Sequence, residues 1–198
     1  MTLRSDPFQV FRHSKSPAGL YARKKWLGEQ FDSGYKKDFE ETVRFLLSGQ
    51  SADGSWEGSL VKTIQRLFGL HLTVRESIEP VQRGLDWLKD RTSAFFAQKR
   101  FHTPEKLSAR ELAGLPFTKS AFGPLIAGAT LFLFSVFDRG DDPEIREFYA
   151  RLEVTVSDGS GKRYGWPSYS NILRAFVVHP LYSTSPTVER TVRNLQRT

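Results

Sequence analysis

Gln50-Ser51-Ala52-Asp53-Gly54-Ser55-Trp56 is the stretch on which the fold turns. Its three spaced residues have distinct physical uses. A glycine lets the backbone leave a helix and reverse. A tryptophan supplies a large apolar plate with a single N–H donor. A glutamine side chain can bond backbone groups left over at a neighbouring helix end. Phe45-Leu46 stands just upstream, so the unit reads F-L-x3-Q-x3-G-x-W. Arg83-Gly84-Leu85-Asp86-Trp87-Leu88 then reads R-G-x2-W-L, a second copy of the front half.

Working outward, four segments carry apolar residues at helical spacing. They are Phe39/Val43/Leu46/Leu47, Val81/Leu85/Leu88, Ile145/Phe148/Tyr149/Leu152 and Val188/Val192/Leu195. Their first members are 42, 64 and 43 residues apart, and each segment has a leucine seven positions after its start. The period is therefore about 42 residues, with an insertion near 92–114 in the second unit. Between these amphipathic segments lie more apolar ones, at 60–74, 117–137 and 167–178. A helix apolar on most sides is a buried helix. The expectation is an all-α chain in which amphipathic outer helices alternate with apolar inner ones.

Joined end to end, the two fragments give (K/R)-(G/A)-x2-(F/W)-L-x3-Q-x3-G-x-W. That pattern resembles the QW repeat of the terpenoid cyclase and protein prenyltransferase superfamily (squalene-hopene-cyclase-like). Gln50, Gly54, Trp56 and Trp87 are the motif positions. The third unit keeps part of the pattern, as Asp158-Gly159 and Gly165-Trp166. The resemblance implies an (α/α) toroid, here partial, of about three and a half helical hairpins over residues 33–198. A closed ring of that family takes about six hairpins. Self-association or a partner chain completing the toroid is thus expected. The motif itself implies structural glue between outer helices, not catalysis. What the resemblance implies for function is an isoprenoid or other apolar ligand, bound by one part of a split or incomplete enzyme. The alternative is a non-catalytic helical-repeat interaction module.

The residues of the family's reactions are missing. There is no D-x-D-D. Asp141-Asp142-Pro143-Glu144-Ile145 has isoleucine where D-D-x-x-D needs its last acid. Asp138-Arg139-Gly140-Asp141-Asp142 reads as a helix stop followed by an N-cap. The chain has no Cys, which excludes disulfides, thiolate metal ligation and the family's zinc triad. His13, His71, His102 and His179 show no ligand spacing, and His71 reads as a core histidine. No metal and no cofactor is expected, and no catalytic residue stands out. Aromatic faces suit an isoprenoid cavity because their quadrupole favours cationic centres. The candidate lining positions, on or at the heads of inner helices, are Phe68, Phe122, Phe132, Trp166 and Tyr169.

The net charge is +7 and its excess lies at the ends. Residues 1–30 carry six Lys/Arg against two acids, and residues 160–198 six against one. No nucleic-acid motif accompanies this charge, so no nucleic-acid partner is expected. The arm at 1–32 stands outside the repeat. Leu20-Tyr21 and Trp26-Leu27 flank Arg23-Lys24-Lys25, which reads as a helix packed on the first outer helix or resting on a membrane surface. The N-terminal fifteen residues show no apolar signal region, so a cytoplasmic location is expected, with peripheral membrane contact as the variant. The uncharged run 120–137 touches the lower length for a membrane span. Its Gly123, Pro124, Thr130 and Ser135, and its place in the repeat, favour a buried inner helix.

Overall fold

A computed structural model describes residues 8–97, 122–157 and 166–196. Among the described residues the chain is all-helical, with eight α-helices and no strand. They are α1 (Pro17–Trp26), α2 (Ser33–Leu47), α3 (Leu60–Thr73), α4 (Glu79–Ala97), α5 (Phe122–Val136), α6 (Pro143–Ser157), α7 (Trp166–Val178) and α8 (Pro186–Leu195). A single 3-10 turn, Glu29–Phe31, joins α1 to α2. The chain forms two compact units, Met1–Gly84 and Leu85–Thr198. No helix among the described residues is long and apolar enough to cross a membrane.

The helix boundaries follow local chemistry. Ser16 caps α1 by accepting from Gly19 N at 3.1 Å, with Pro17 opening the helix. Asp32 caps α2 through Tyr35 N at 3.0 Å, and Ser59 caps α3 through Lys62 N at 3.3 Å. α5 stops where Asp138 takes a left-handed φ of 61° and Arg139 N reaches back to Phe134 O at 2.8 Å. Asp142 O then accepts the first bond of α6, from Arg146 N at 2.9 Å. The acidic run 138–142 is thus a helix stop and a helix start, as its sequence suggests.

In the first unit α3 is central and packs against α1 and α2. Leu60, Val61, Ile64, Leu67 and Leu70 of α3 are buried with Leu20, Leu46 and Trp56. Helix α1 of the N-terminal arm therefore lies on α3 as well as on α2. Its anchor is Arg23, buried at the end of α1, which bonds Glu29 at 2.7 Å and Asp38 at 2.8 Å. A buried guanidinium is tolerable only when paired in this way.

In the second unit α5 packs along α7, α7 along α8, and α6 against α5 and α8. The α5–α7 approach is backbone-close: a Cβ on Gly128 would stand 2.6 Å from the Asn171 carbonyl carbon. Asn171 Nδ2 also donates to Leu125 O at 3.3 Å. The expected inward stripe of α6, Ile145/Phe148/Tyr149/Leu152, is buried throughout. That of α8 is not. Thr187 and Thr191 are its buried residues, whereas Val192 is 37% exposed and Val188 is half-buried. Small threonines seat this helix, and Thr187 Oγ1 reaches Glu153 Oε1 at 3.2 Å.

Candidate functional site

The two halves of the sequence motif meet in space. After α2 the chain runs through a loop in which Gln50 and Trp56 form an isolated bridge. Gln50 Nε2 donates to Gly54 O at 2.9 Å and to Pro80 O at 2.7 Å. Its Oε1 accepts from Arg83 Nη2 at 2.9 Å. One amide thereby ties the loop to the first turn of α4. Gly54 sits at φ 91°, and a Cβ there would fall 2.3 Å from Arg83 O. Glycine is needed for conformation and for clearance alike. Trp56 is 1% exposed and lies over Gly84, where a Cβ would be 3.1 Å from its ring. The glycine of the R-G-x2-W-L segment thus leaves room for the tryptophan of the loop. Trp56 N donates to Thr63 Oγ1 at 3.0 Å, fixing the loop on α3. The indole Nε1 has no hydrogen-bond partner among the described residues. Trp87, one turn further along α4, is half-buried.

The candidate aromatic positions differ in setting. Phe68, in the first unit, is half-buried. In the second unit Phe132 is half-buried and Trp166 is 50% exposed at the head of α7. Tyr169 is 3% exposed and shares a face of α7 with Ile172 and Phe176, at helical spacing. Since the backbone at Ile172 meets Gly128, that face belongs to the packed α5–α7 seam. Phe122 opens α5, and its side chain lies outside the described residues, as do Asp158, Gly159, Gly165 and the insertion beyond Ala97.

A cluster that sequence reading did not single out occupies the second unit. The Tyr149 hydroxyl sits 2.8 Å from Ser135 Oγ, 3.1 Å from Leu131 O and 3.0 Å from Ala175 O. Its ring stacks on Tyr182 at 4.8 Å and meets the edges of Phe176 and His179. Burial raises the Tyr149 pKa, with the Ser135 bond acting against it, so the phenol serves as a neutral donor. His179 is fully buried. Its Nε2 donates to Gly140 O at 3.0 Å and its Nδ1 accepts from Leu181 N at 3.2 Å. Both ring nitrogens are spent on backbone, which suits a structural tie and leaves no lone pair for a metal. The signal in the sequence was weak: an ordinary apolar stripe containing one tyrosine, and a lone histidine before a proline.

His71 lies half-buried in α3, and burial, with Arg75 nearby, lowers its pKa to about 4. Arg139 bridges Asp86 at 2.6 Å and Asp142 at 3.0 Å. Among the described residues no group of three or more His, Asp or Glu could hold a metal ion. No family model, no curated protein and no solved structure matches this chain.

Proposed function

We propose that this chain is a binding scaffold built as a partial (α/α) toroid, similar to the terpenoid cyclase and protein prenyltransferase superfamily, for an isoprenoid or other apolar ligand. What carries the reading is the closure of the Gln50–Trp56 loop on Arg83 and Gly84. Two motif halves 33 residues apart in sequence interlock through the very residues that the repeat pattern specifies. The pairing of His179 with backbone, and of Asp86 and Asp142 with Arg139, favours binding over catalysis. Native mass spectrometry of gently purified protein, followed by titration with a fluorescent polyprenyl diphosphate, tests this. A retained lipid-sized mass or saturable micromolar binding is expected. Absence of both, with the protein folded, overturns the ligand reading.

A second reading has its own observation. α8 buries Thr187 and Thr191 and leaves Val192 exposed with Val188 half-buried. An outer helix whose apolar residues are not covered by its own unit suits a helical-repeat interaction module, completed by a second copy or a partner chain. Light scattering across a concentration series separates the two. Dimerisation that Val192→Lys abolishes supports the module. A monomer at every concentration removes the self-association form of it.

A further inference from the structure

The corner between α1 and α2 presents the opposite of a buried seam. Leu20, Ala22 and Arg23 turn one face of α1 into the core. In the last turn of α1 Trp26 is 59% exposed, with the rings of Phe8 and Phe11 against it at 6.3 and 5.7 Å. Val10 is 78% exposed and Phe31, in the joining turn, 80%. Water contact for that much apolar surface within one short stretch is unfavourable.

Four lysines at this corner carry charge that no acid among the described residues pairs. Lys24 and Lys25 end α1, and Lys36 and Lys37 lie in the opening turns of α2. All four are exposed, and none pairs with a carboxylate among the described residues. The adjacent acids are taken: Glu29 by Arg23, Asp38 by Arg23 and Lys15. Asp32 caps α2 and keeps its charge, so the lysines outnumber the exposed acids Asp32 and Glu40 by four to two. Lys24 and Lys36 also border one shallow cleft of about 220 Å³, floored by Tyr35 and Phe39, with Glu40 the one acid on its rim.

We propose that this corner docks on a bilayer surface containing anionic lipid. Trp26, Phe8 and Phe31 enter the headgroup boundary, where an amphipathic indole is well placed. The lysines meet lipid phosphates, and Lys24 and Lys36 bracket a single headgroup. The complementarity is of both kinds, apolar to acyl region and cationic to anionic leaflet. Nucleic acid would use the lysines and leave the exposed aliphatic and phenyl groups in water. Docking is independent of any polyprenyl ligand, so a failed polyprenyl titration leaves it standing.

The test is co-sedimentation of the full chain with phosphatidylcholine vesicles with and without phosphatidylserine, over a salt series. Binding is expected only with phosphatidylserine, and it should weaken as salt rises. Lys24→Gln with Lys36→Gln should weaken it roughly 25-fold, at about fivefold for each lysine near the surface. Phe31→Ser should weaken it at every salt concentration. These positions are exposed, and circular dichroism checks that each variant folds. Equal partition into phosphatidylcholine alone, no partition at all, or indifference to both variants overturns the proposal. So does a DNA duplex that binds the protein and is not displaced by the anionic vesicles.

Discussion

Replacing Gln50 by Glu changes one atom and should cost more than deleting the side chain. Gln50 Nε2 gives its two hydrogens to Gly54 O at 2.9 Å and Pro80 O at 2.7 Å, while Oε1 takes Arg83 at 2.9 Å. In Gln50→Ala three bonds are lost, each worth about 1 kcal/mol net, so roughly 2–3 kcal/mol is expected. Gln50→Glu keeps the shape and strengthens the Arg83 contact. It also sets a carboxylate oxygen against two carbonyl oxygens at the distances just given. The desolvated repulsion outweighs one half-exposed ion pair, and a loss of roughly 3–4 kcal/mol at pH 7 is expected. The pH dependence is then diagnostic. Crowding by carbonyls raises the folded pKa of the new carboxyl above its unfolded value of about 4.3. The penalty is absent below the unfolded value and grows as pH rises towards the folded one, so Gln50→Glu should partly recover between neutral pH and about pH 4. Urea denaturation read by tryptophan fluorescence at several pH values measures this, since buried Trp56 reports on the same loop. A Gln50→Glu protein as stable as the parent at pH 7 would refute the donor role of the amide.

Gly128→Ala should gain about 1 kcal/mol of helix propensity and still lose stability, by roughly 2 kcal/mol or more, because its Cβ would meet Asn171 backbone at 2.6 Å. A denaturation midpoint above the parent's would show that α5 and α7 can part freely. Tyr149→Phe keeps the ring stack but removes the hydroxyl's bonds to Ser135, Leu131 O and Ala175 O, an expected cost of roughly 1–3 kcal/mol in the same assay. A neutral result would mean that the hydroxyl bonds carry no weight. His71 is held neutral by burial, with a pKa near 4 against an ordinary value of 6.5. The unfolded chain takes up a proton between those values and the native chain does not. Stability should therefore fall on acidification from about pH 6.5 to 4, by roughly 2–3 kcal/mol after discount for partial exposure. His71→Leu should flatten that slope, and an unchanged slope would assign it to other groups.

Much of the architecture was legible because helical periodicity is a local signal. The stripes Val81/Leu85/Leu88 and Ile145/Phe148/Tyr149/Leu152 are buried as their spacing requires. Pro143 and Pro186 open helices where the Asp-Pro and Ser-Pro steps place them. The α8 stripe misled, because periodicity says which residues share a face and not whether a neighbour covers that face. At α8 the small Thr187 and Thr191 allow the closer approach and take the packed side. The Tyr149–His179 cluster stayed hidden because its members are 30 residues apart, and only the joining of α5, α6 and α7 brings them together.

By itself the sequence determined the helical class, the helix stop and start at 138–143, the helix start at Ser185-Pro186, the missing cysteine chemistry and the Gln50–Gly54–Trp56 turn. All of these depend on residues within a few positions of one another, where propensity and capping act. The tertiary structure decided which motif half meets which. It set Gln50 on Arg83 and Trp56 on Gly84, seated the arm through Arg23, and left Trp26 and Phe31 in water. Those outcomes depend on close approach between segments distant in the chain, where a clearance of a few tenths of an ångström decides what can touch.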